Sequence, residues 1–103
     1  MQDKIKNNNM ISEFKLGSKK YSVEYVDNID DSGLGRCISP IGLIKIAKTF
    51  FGKDIPKDAQ EQTTYHEIVH AILNELGQDK LSDDENFVQS FALLLHQFII
   101  TKK

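Results

Sequence analysis

The sequence is poor in the features that mark several classes of protein. Cys37 is its single cysteine, so no disulfide can form within the chain, and we expect the thiol to pack as a small apolar group rather than act as a nucleophile. No segment near the N-terminus has the apolar core of a signal peptide. The longest apolar run, residues 87–100, is too short to span a bilayer and is interrupted by Gln89, His96 and Gln97. These absences predict a cytoplasmic protein without a membrane partner.

The chain also lacks a large excess of positive or negative charge. The chain has 13 Lys and Arg against 15 Asp and Glu, and its formal net charge is −2. A nucleic-acid interface needs a clustered basic face, whereas the basic pairs Lys19-Lys20 and Lys102-Lys103 are short and isolated. We therefore expect no nucleic-acid partner. With 103 residues, 40% of them hydrophobic, the chain can build one small core.

What the sequence does contain is a His-Glu-x-x-His motif, in which His66 and His70 flank Glu67. Four residues of an α-helix turn through about 400° and rise about 6 Å, so both histidines lie on one face, one turn apart. From there both imidazoles can reach a single Zn²⁺ ion. Glu67 lies on the flank of that face, where it can accept a proton from a metal-bound water. The motif predicts a zinc site with Glu67 as general base.

Two β-hairpins are predicted before the motif. Aromatic and β-branched residues alternate with polar ones over residues 14–16 and 21–26, around a glycine-containing turn. A second pair of short strands, residues 34–38 and 43–47, is joined across residues 39–42, where proline and glycine suit a tight turn. The polar, low-complexity residues 1–12 are expected to form a disordered tail.

Two helices are predicted after the strands. The first starts at Pro56, where the missing N–H costs nothing, and ends before Gly77. Its apolar residues recur every three or four positions: Tyr65, Ile68, Val69, Ile72 and Leu76. The second runs from Ser82 to about residue 100 and has a broad apolar face. The predicted fold class is α+β, a small antiparallel sheet of three or four short strands followed by two helices, in a single domain over residues 13–103.

Catalytic zinc sites usually have three protein ligands, so a third ligand is expected from the last helix. A simple antiparallel arrangement of the two helices leaves Glu85 and His96 about equally far from the histidine pair. They are eleven residues apart, about 16 Å of helix, so they cannot share one ion. Glu85 also has a competing explanation, because residues 82–85 match a capping box in which Glu85 reaches back to the Ser82 backbone N–H. Spacing alone does not decide between Glu85 and His96 as the third ligand. Less favoured candidates are Asp83, Asp84 and Gln89.

The motif helix over residues 64–73, followed by residues 84–88 and an apolar tail to Phe98, resembles the small zincin-like metallopeptidases of phages and mobile elements, related to the ImmA/IrrE type. In gluzincin-like members of this group, the acidic residue at the start of the second helix is the third zinc ligand. The matching residue here is Glu85, so the resemblance implies a zinc site made by His66, His70 and Glu85.

The resemblance implies a zinc-dependent peptidase that hydrolyses a peptide or protein substrate, with the metal-activated water deprotonated by Glu67. Zincins commonly bind substrate as an extended strand, and by resemblance the strand over residues 43–47 is expected to pair with it. The sequence shows no clear counterpart of the extra His or Tyr that stabilises the oxyanion in larger peptidases. The residues weighed for that role are Tyr21, Tyr25, Tyr65 and His96. The alternative is therefore a zinc-binding interaction module that does not cleave.

Overall fold

A four-stranded mixed sheet forms one side of the molecule. The computed structural model describes residues 10–30 and 33–103. The sheet has the order β1-β2-β4-β3, and its strands are β1 (Glu13–Leu16), β2 (Lys19–Val26), β3 (Gly35–Ile38) and β4 (Leu43–Ala47). A short 3₁₀ helix, Ser39–Ile41, connects β3 to β4. A separate small hairpin follows, with β5 (Thr49–Phe50) and β6 (Lys53–Asp54).

Both predicted hairpins are present, because β1 pairs antiparallel with β2 and β3 pairs antiparallel with β4. The two hairpins join through β2 and β4, which run parallel, so the sheet is mixed rather than wholly antiparallel. This pairing places Val23 opposite Ile44 and Tyr25 opposite Ile46 in the middle of the sheet. The sheet core consists of Tyr21, Val23, Ile44 and Ile46, each buried. The predicted α+β class is confirmed.

Three helices complete the fold: α1 (Lys57–Glu75), the short α2 (Asp79–Asp83) and α3 (Glu85–Thr101). Helix α1 packs on the sheet on one side, where Ala71 joins the sheet core. On its other side Val69 and Leu73 pack against Val88 and Ala92 of α3. Burying a side chain such as valine or leucine contributes about 1.5–3 kcal/mol. Helix α1 is therefore held rigidly between two apolar clusters.

The two ends of α1 lie close to the positions predicted from the sequence. Pro56 immediately precedes the helix, and Leu76 is its C-terminal cap. Gly77 has φ of +73°, the left-handed conformation that a residue other than glycine adopts only at a cost. The predicted helix stop is confirmed.

The predicted start of the last helix is wrong. Ser82 lies within α2, and α3 begins three residues later at Glu85. The cap of α3 is Asp84, whose Oδ1 accepts a hydrogen bond from the backbone N–H of Phe87 at 3.1 Å. The capping box is replaced because the Asp84 carboxylate satisfies that exposed backbone donor directly. Glu85 is thereby released from the capping role that competed with metal binding.

Most of the predicted tail lies outside the described residues, which begin at Met10. Residues 10–12 run beside the sheet, where the Ser12 carbonyl accepts a hydrogen bond from Val23 N–H at 2.8 Å. The Tyr25 hydroxyl donates to the Ile11 carbonyl, also at 2.8 Å. Within residues 10–30 and 33–103, no helix is both long and apolar enough to cross a membrane.

Candidate metal centre

His66 and His70 of α1 both turn a ring nitrogen toward the first residue of α3. His66 Nε2 lies 3.1 Å from Glu85 Oε1, and His70 Nε2 lies 3.4 Å from Glu85 Oε2. One ligand atom from each of the three side chains lies within 4.8 Å of the others. Ligand atoms around a tetrahedral Zn²⁺ at roughly 2.0–2.1 Å are about 3.3 Å apart. The three side chains therefore fit a single ion of this size.

Local sequence explains why these groups meet. The i, i+4 spacing puts the two imidazoles on one face of α1, and their ring centroids are 5.0 Å apart. The short helix α2 returns the chain so that Glu85 begins α3 opposite that face. The Glu85 side chain is 67% exposed, whereas those of His66 and His70 are 20% and 14% exposed. The group is thus open to solvent on the Glu85 side.

The second nitrogen of each imidazole is held by a neighbouring polar group. His66 Nδ1 lies 2.7 Å from Gln89 Oε1 on α3, one turn beyond Glu85. His70 Nδ1 lies 2.9 Å from the hydroxyl of Ser82, which is buried in α2. The Gln89 amide oxygen can accept a hydrogen bond from His66 Nδ1, while Nε2 of the same ring faces Glu85. Metal-binding histidines are commonly oriented by such partners.

The electrostatic environment favours neutral His70, which is the form that binds a metal. Burial lowers the pKa of His70, an effect that the nearby Glu85 carboxylate opposes. Two imidazole nitrogens that face a carboxylate at these distances could hold zinc or another first-row divalent ion.

Glu67 is buried beside this group, with 6% of its surface exposed. It faces the sheet edge, where its Oε2 would lie 2.9 Å from a Cβ added at Gly35. Burial raises the pKa of Glu67 to about 7, against the lowering effect of His66. The Glu85 carboxylate raises this pKa further, and Arg36 lowers it. A carboxylate with a pKa near neutrality is suited to accept and return a proton.

The histidines and Glu67 open into a cleft of about 720 Å³. Its walls come from α1, from the segment around α2 and the start of α3, and from strand β3. Leu34, Gly35 and Cys37 line it from β3 and the residue before that strand, Asn74 lines it from α1, and Ser82 and Asp83 line it from α2. The volume is within the range typical of small-ligand and peptide sites.

The prediction that strand β4 pairs with a substrate is wrong. β4 already pairs with β2 on one side and with β3 on the other, so its backbone groups are occupied within the sheet. The edge strands are β1 and β3, and it is β3 that lines the cleft. Sequence patterns predicted the four strands of this sheet but neither their order nor the β5–β6 hairpin, because the parallel pairing of β2 and β4 joins segments far apart in the chain.

His96 lies away from the histidine pair. Its ring stacks at an angle on Tyr65, with centroids 5.1 Å apart, and its Nε2 lies 3.5 Å from Glu61 Oε1. The structure brings Glu85, and not His96, to His66 and His70. Of the less favoured ligands, Asp84 caps α3, Gln89 contacts His66, and Asp83 lines the cleft.

None of the four side chains weighed for oxyanion stabilisation lines the cleft among the described residues. Tyr65 packs on His96, and the Tyr25 hydroxyl bonds to the Ile11 carbonyl. Tyr21 donates to Glu75 Oε2 at 2.7 Å, next to a 2.8 Å ion pair between Lys19 and the same oxygen. Those contacts with Lys19 and Tyr21 lower the pKa of Glu75. The four side chains weighed for oxyanion stabilisation thus make structural contacts outside the cleft.

Sequence reasoning missed the roles of Ser82, Gln89 and Gly35. Gln89 follows Glu85 by one helical turn, so its place beside the site was available from spacing once Glu85 was chosen. A glycine at the start of a strand often marks a close approach of another element, and Gly35 is such a position. The contact of Ser82 with His70 could not be predicted from the sequence, because it depends on the short helix α2.

Gly35→Ala is expected to displace Glu67 while leaving the ligand group intact. The new methyl group would lie 2.7 Å from Thr63 Cγ2 and 2.9 Å from Glu67 Oε2, so both side chains must move. Overpacking of this kind costs about 1–3 kcal/mol in the free energy of unfolding, measured by urea denaturation. Zinc uptake should be unchanged, because the atoms nearest to the added methyl group belong to Thr63 and Glu67, neither of which is a proposed ligand.

Gly33→Ala is the matched control, since its added methyl group meets nothing closer than Ile29 Cγ2 at 3.8 Å. Adding Thr63→Ala to Gly35→Ala removes the closest clash and should recover part of the lost stability. Equal stability of Gly35→Ala and Gly33→Ala would show that β3 and Glu67 are not in this close contact.

Comparisons of the chain with protein-family models, with curated proteins and with solved structures find no match.

Proposed function

We propose that the chain is a zinc-dependent metallopeptidase in which His66, His70 and Glu85 hold the ion and Glu67 is the general base. The observation that carries this proposal is the meeting of two imidazole nitrogens and one carboxylate beside a buried second carboxylate, in a cleft bounded by an edge strand. The resemblance of residues 64–73 and 84–88 to zincin-like peptidases supports the same function.

The ligands have separate tasks in this proposal. A bound zinc ion lowers the pKa of water and polarises a carbonyl group. The Glu85 carboxylate offsets part of the positive charge and leaves one side open to solvent. Gln89 and Ser82 hold the two imidazoles in the orientation in which Nε2 faces Glu85. His66 and His70 are thereby preorganised before the metal arrives.

Glu67 moves the proton. Its carboxylate accepts a proton from the attacking water and returns it to the leaving amine nitrogen as the peptide bond breaks. Burial between α1 and β3 fixes the position of this side chain and brings its pKa close to neutrality. The same group can therefore act first as base and then as acid.

An extended polypeptide is the substrate that fits the cleft. As an edge strand, β3 offers main-chain donors and acceptors that a substrate strand can pair with. Its residues Gly35 and Cys37 line the cleft beside Glu67 and His70. A peptide added to β3 would lie in the same cleft as the histidine pair. By the resemblance, the natural substrate is a regulatory or mobile-element protein, met in the cytoplasm of the host.

A second candidate is a zinc-binding interaction module without peptidase activity. It is favoured by the placement of Tyr21, Tyr25, Tyr65 and His96, none of which lines the cleft among the described residues. The developing oxyanion would then lack a side-chain donor of the usual kind. Such a module would use the same ligand set and the same edge strand to bind a partner peptide.

The test is cleavage of a peptide library by the purified full chain, before and after chelation. The proposal predicts one equivalent of zinc, cleavage that is lost with the metal, and recovery when zinc is restored. Stoichiometric zinc with no cleavage of the library, or of host proteins, would favour the interaction module. Cleavage that continues after complete removal of the metal would contradict both.

A further inference from the structure

Helix α3 carries an apolar stripe that the described part of the chain leaves uncovered. Phe87 is half-buried against the cluster between α1 and α3, and its ring lies 5.8 Å from that of Phe91. Beyond it, Phe91, Leu94 and Phe98 are 50%, 67% and 61% exposed. Large apolar side chains that form a continuous exposed row mark an interaction surface.

The spacing of the stripe is that of a helix–helix seam. Its residues follow one another at intervals of four, three and four, which is the pattern of apolar positions in a coiled coil. Residues 86–101 contain no Lys, Arg, Asp or Glu, so no charge interrupts the stripe or its borders. Absence of charge is typical of the centre of an interface. The stripe therefore fits another helix.

The charges at the ends of α3 indicate which helix packs on the stripe. Asp83 and Asp84 precede the helix, and Lys102 and Lys103 follow it; all four are exposed. We propose that the stripe is the dimer interface of this protein, formed by α3 packing antiparallel on α3 of a second copy. An antiparallel pair places the acidic end of each helix beside the basic end of the other, and it also opposes the helix dipoles favourably.

The register of this pair follows from the stripe itself. A two-fold axis between positions 92 and 93 places Phe91 opposite Leu94 of the second copy and Phe87 opposite its Phe98. The same axis brings the acidic residues that precede α3 near the level of the basic residues that follow α3 of the second copy. The apolar contacts and the charge contacts are therefore satisfied by one arrangement, as an isologous two-fold interface requires.

The exposed surface of the stripe sets the strength of the dimer. From the 150–250 Å² that an aromatic side chain buries, Phe91, Leu94 and Phe98 leave roughly 300 Å² uncovered in each copy. Two copies together would bury roughly 600 Å² in the seam, below the 1,200–2,000 Å² of a standard interface. The dimer is therefore weak and reversible, with a dissociation constant in the micromolar range or above.

Sedimentation equilibrium of the full chain tests the dimer. The expected mass rises with concentration from 11.7 kDa toward twice that value. Leu94→Glu should raise the dissociation constant at least about tenfold, because it places a charge in the seam. Leu93→Glu is the matched control: Leu93 is 43% exposed but lies about 100° around the helix, outside the stripe. It should leave the dissociation constant unchanged.

Charge reversal tests the antiparallel orientation. Lys102→Glu with Lys103→Glu should weaken the dimer about threefold or more, since like charges then meet at both ends. Adding Asp83→Lys to this variant leaves one positive and one negative charge at residues 83 and 84, so the repulsion from Glu at 102 and 103 is relieved and part of the lost association should return. In a parallel pair the same triple variant would still bring like charges together.

Several results would overturn the proposal. A wild-type chain that stays monomeric up to about 1 mM would leave the stripe to a different partner. An equal effect of Leu94→Glu and Leu93→Glu would place the interface elsewhere. Failure of the triple variant to regain association would exclude the antiparallel pair. None of these measurements depends on zinc or on cleavage.

Discussion

Glu67→Gln is expected to reduce peptide cleavage by about 10²–10⁴-fold, the range that a general base contributes. The amide has nearly the size of the carboxyl group it replaces, so the close contact with β3 at Gly35 is preserved. It cannot accept the proton of the attacking water. Because Glu67 is not among the three proposed ligands, zinc content should remain at one equivalent.

Glu61→Gln is the control for this prediction. Glu61 lies on the same helix but contacts His96 at 3.5 Å, away from the cleft, so cleavage should be nearly unchanged. The measurement is kcat/KM on the best library peptide, with zinc determined by elemental analysis. Equal rates for Glu67→Gln and the wild type, at full zinc occupancy, would remove Glu67 from its role.

Glu85→Gln is expected to weaken zinc binding at least about 100-fold, beyond the 10–100-fold loss typical of residues that only support a ligand. The carboxylate is the one negative ligand of the group, and it faces both imidazoles at 3.1 and 3.4 Å. An amide oxygen keeps the shape but loses the charge that balances the ion. The wild-type chain should therefore retain zinc under conditions that leave the variant empty.

Thermal unfolding gives the readout for this second prediction. At a free zinc concentration 100 times the dissociation constant, binding stabilises the folded state by about 2.7 kcal/mol, which corresponds to roughly 10–20 °C for a domain of this size. Glu85→Gln should lose most of that shift, whereas Asp83→Asn, in the same cleft, should keep it. A zinc-dependent shift of equal size in both variants would exclude Glu85 as a ligand.

The parts of the site that depend on local spacing could be predicted from the sequence. The one-turn separation of His66 and His70 follows from helix geometry alone, and Glu67 is fixed beside them. The stop at Gly77 is equally local. These predictions need only the identity of neighbouring residues.

The parts of the fold and the site that depend on contacts between distant residues could not be predicted from the sequence. The position of α3 along the axis of α1 is set by α2, a short helix that the sequence did not predict. The choice between Glu85 and His96 as the third ligand therefore stayed undecided without the structure. The place of β3 at the sheet edge depends on parallel pairing between β2 and β4, for which alternation in either strand gives no signal. Both features arise from tertiary packing.

The most direct measurement is a crystal structure of the full chain grown with excess zinc. We expect one ion between His66 Nε2, His70 Nε2 and the Glu85 carboxylate, with Gln89 and Ser82 still bonded to the opposite ring nitrogens. A site that stays empty under these conditions, or an ion held by other side chains while the two imidazoles point apart, would contradict the proposed metal centre and the peptidase function built on it.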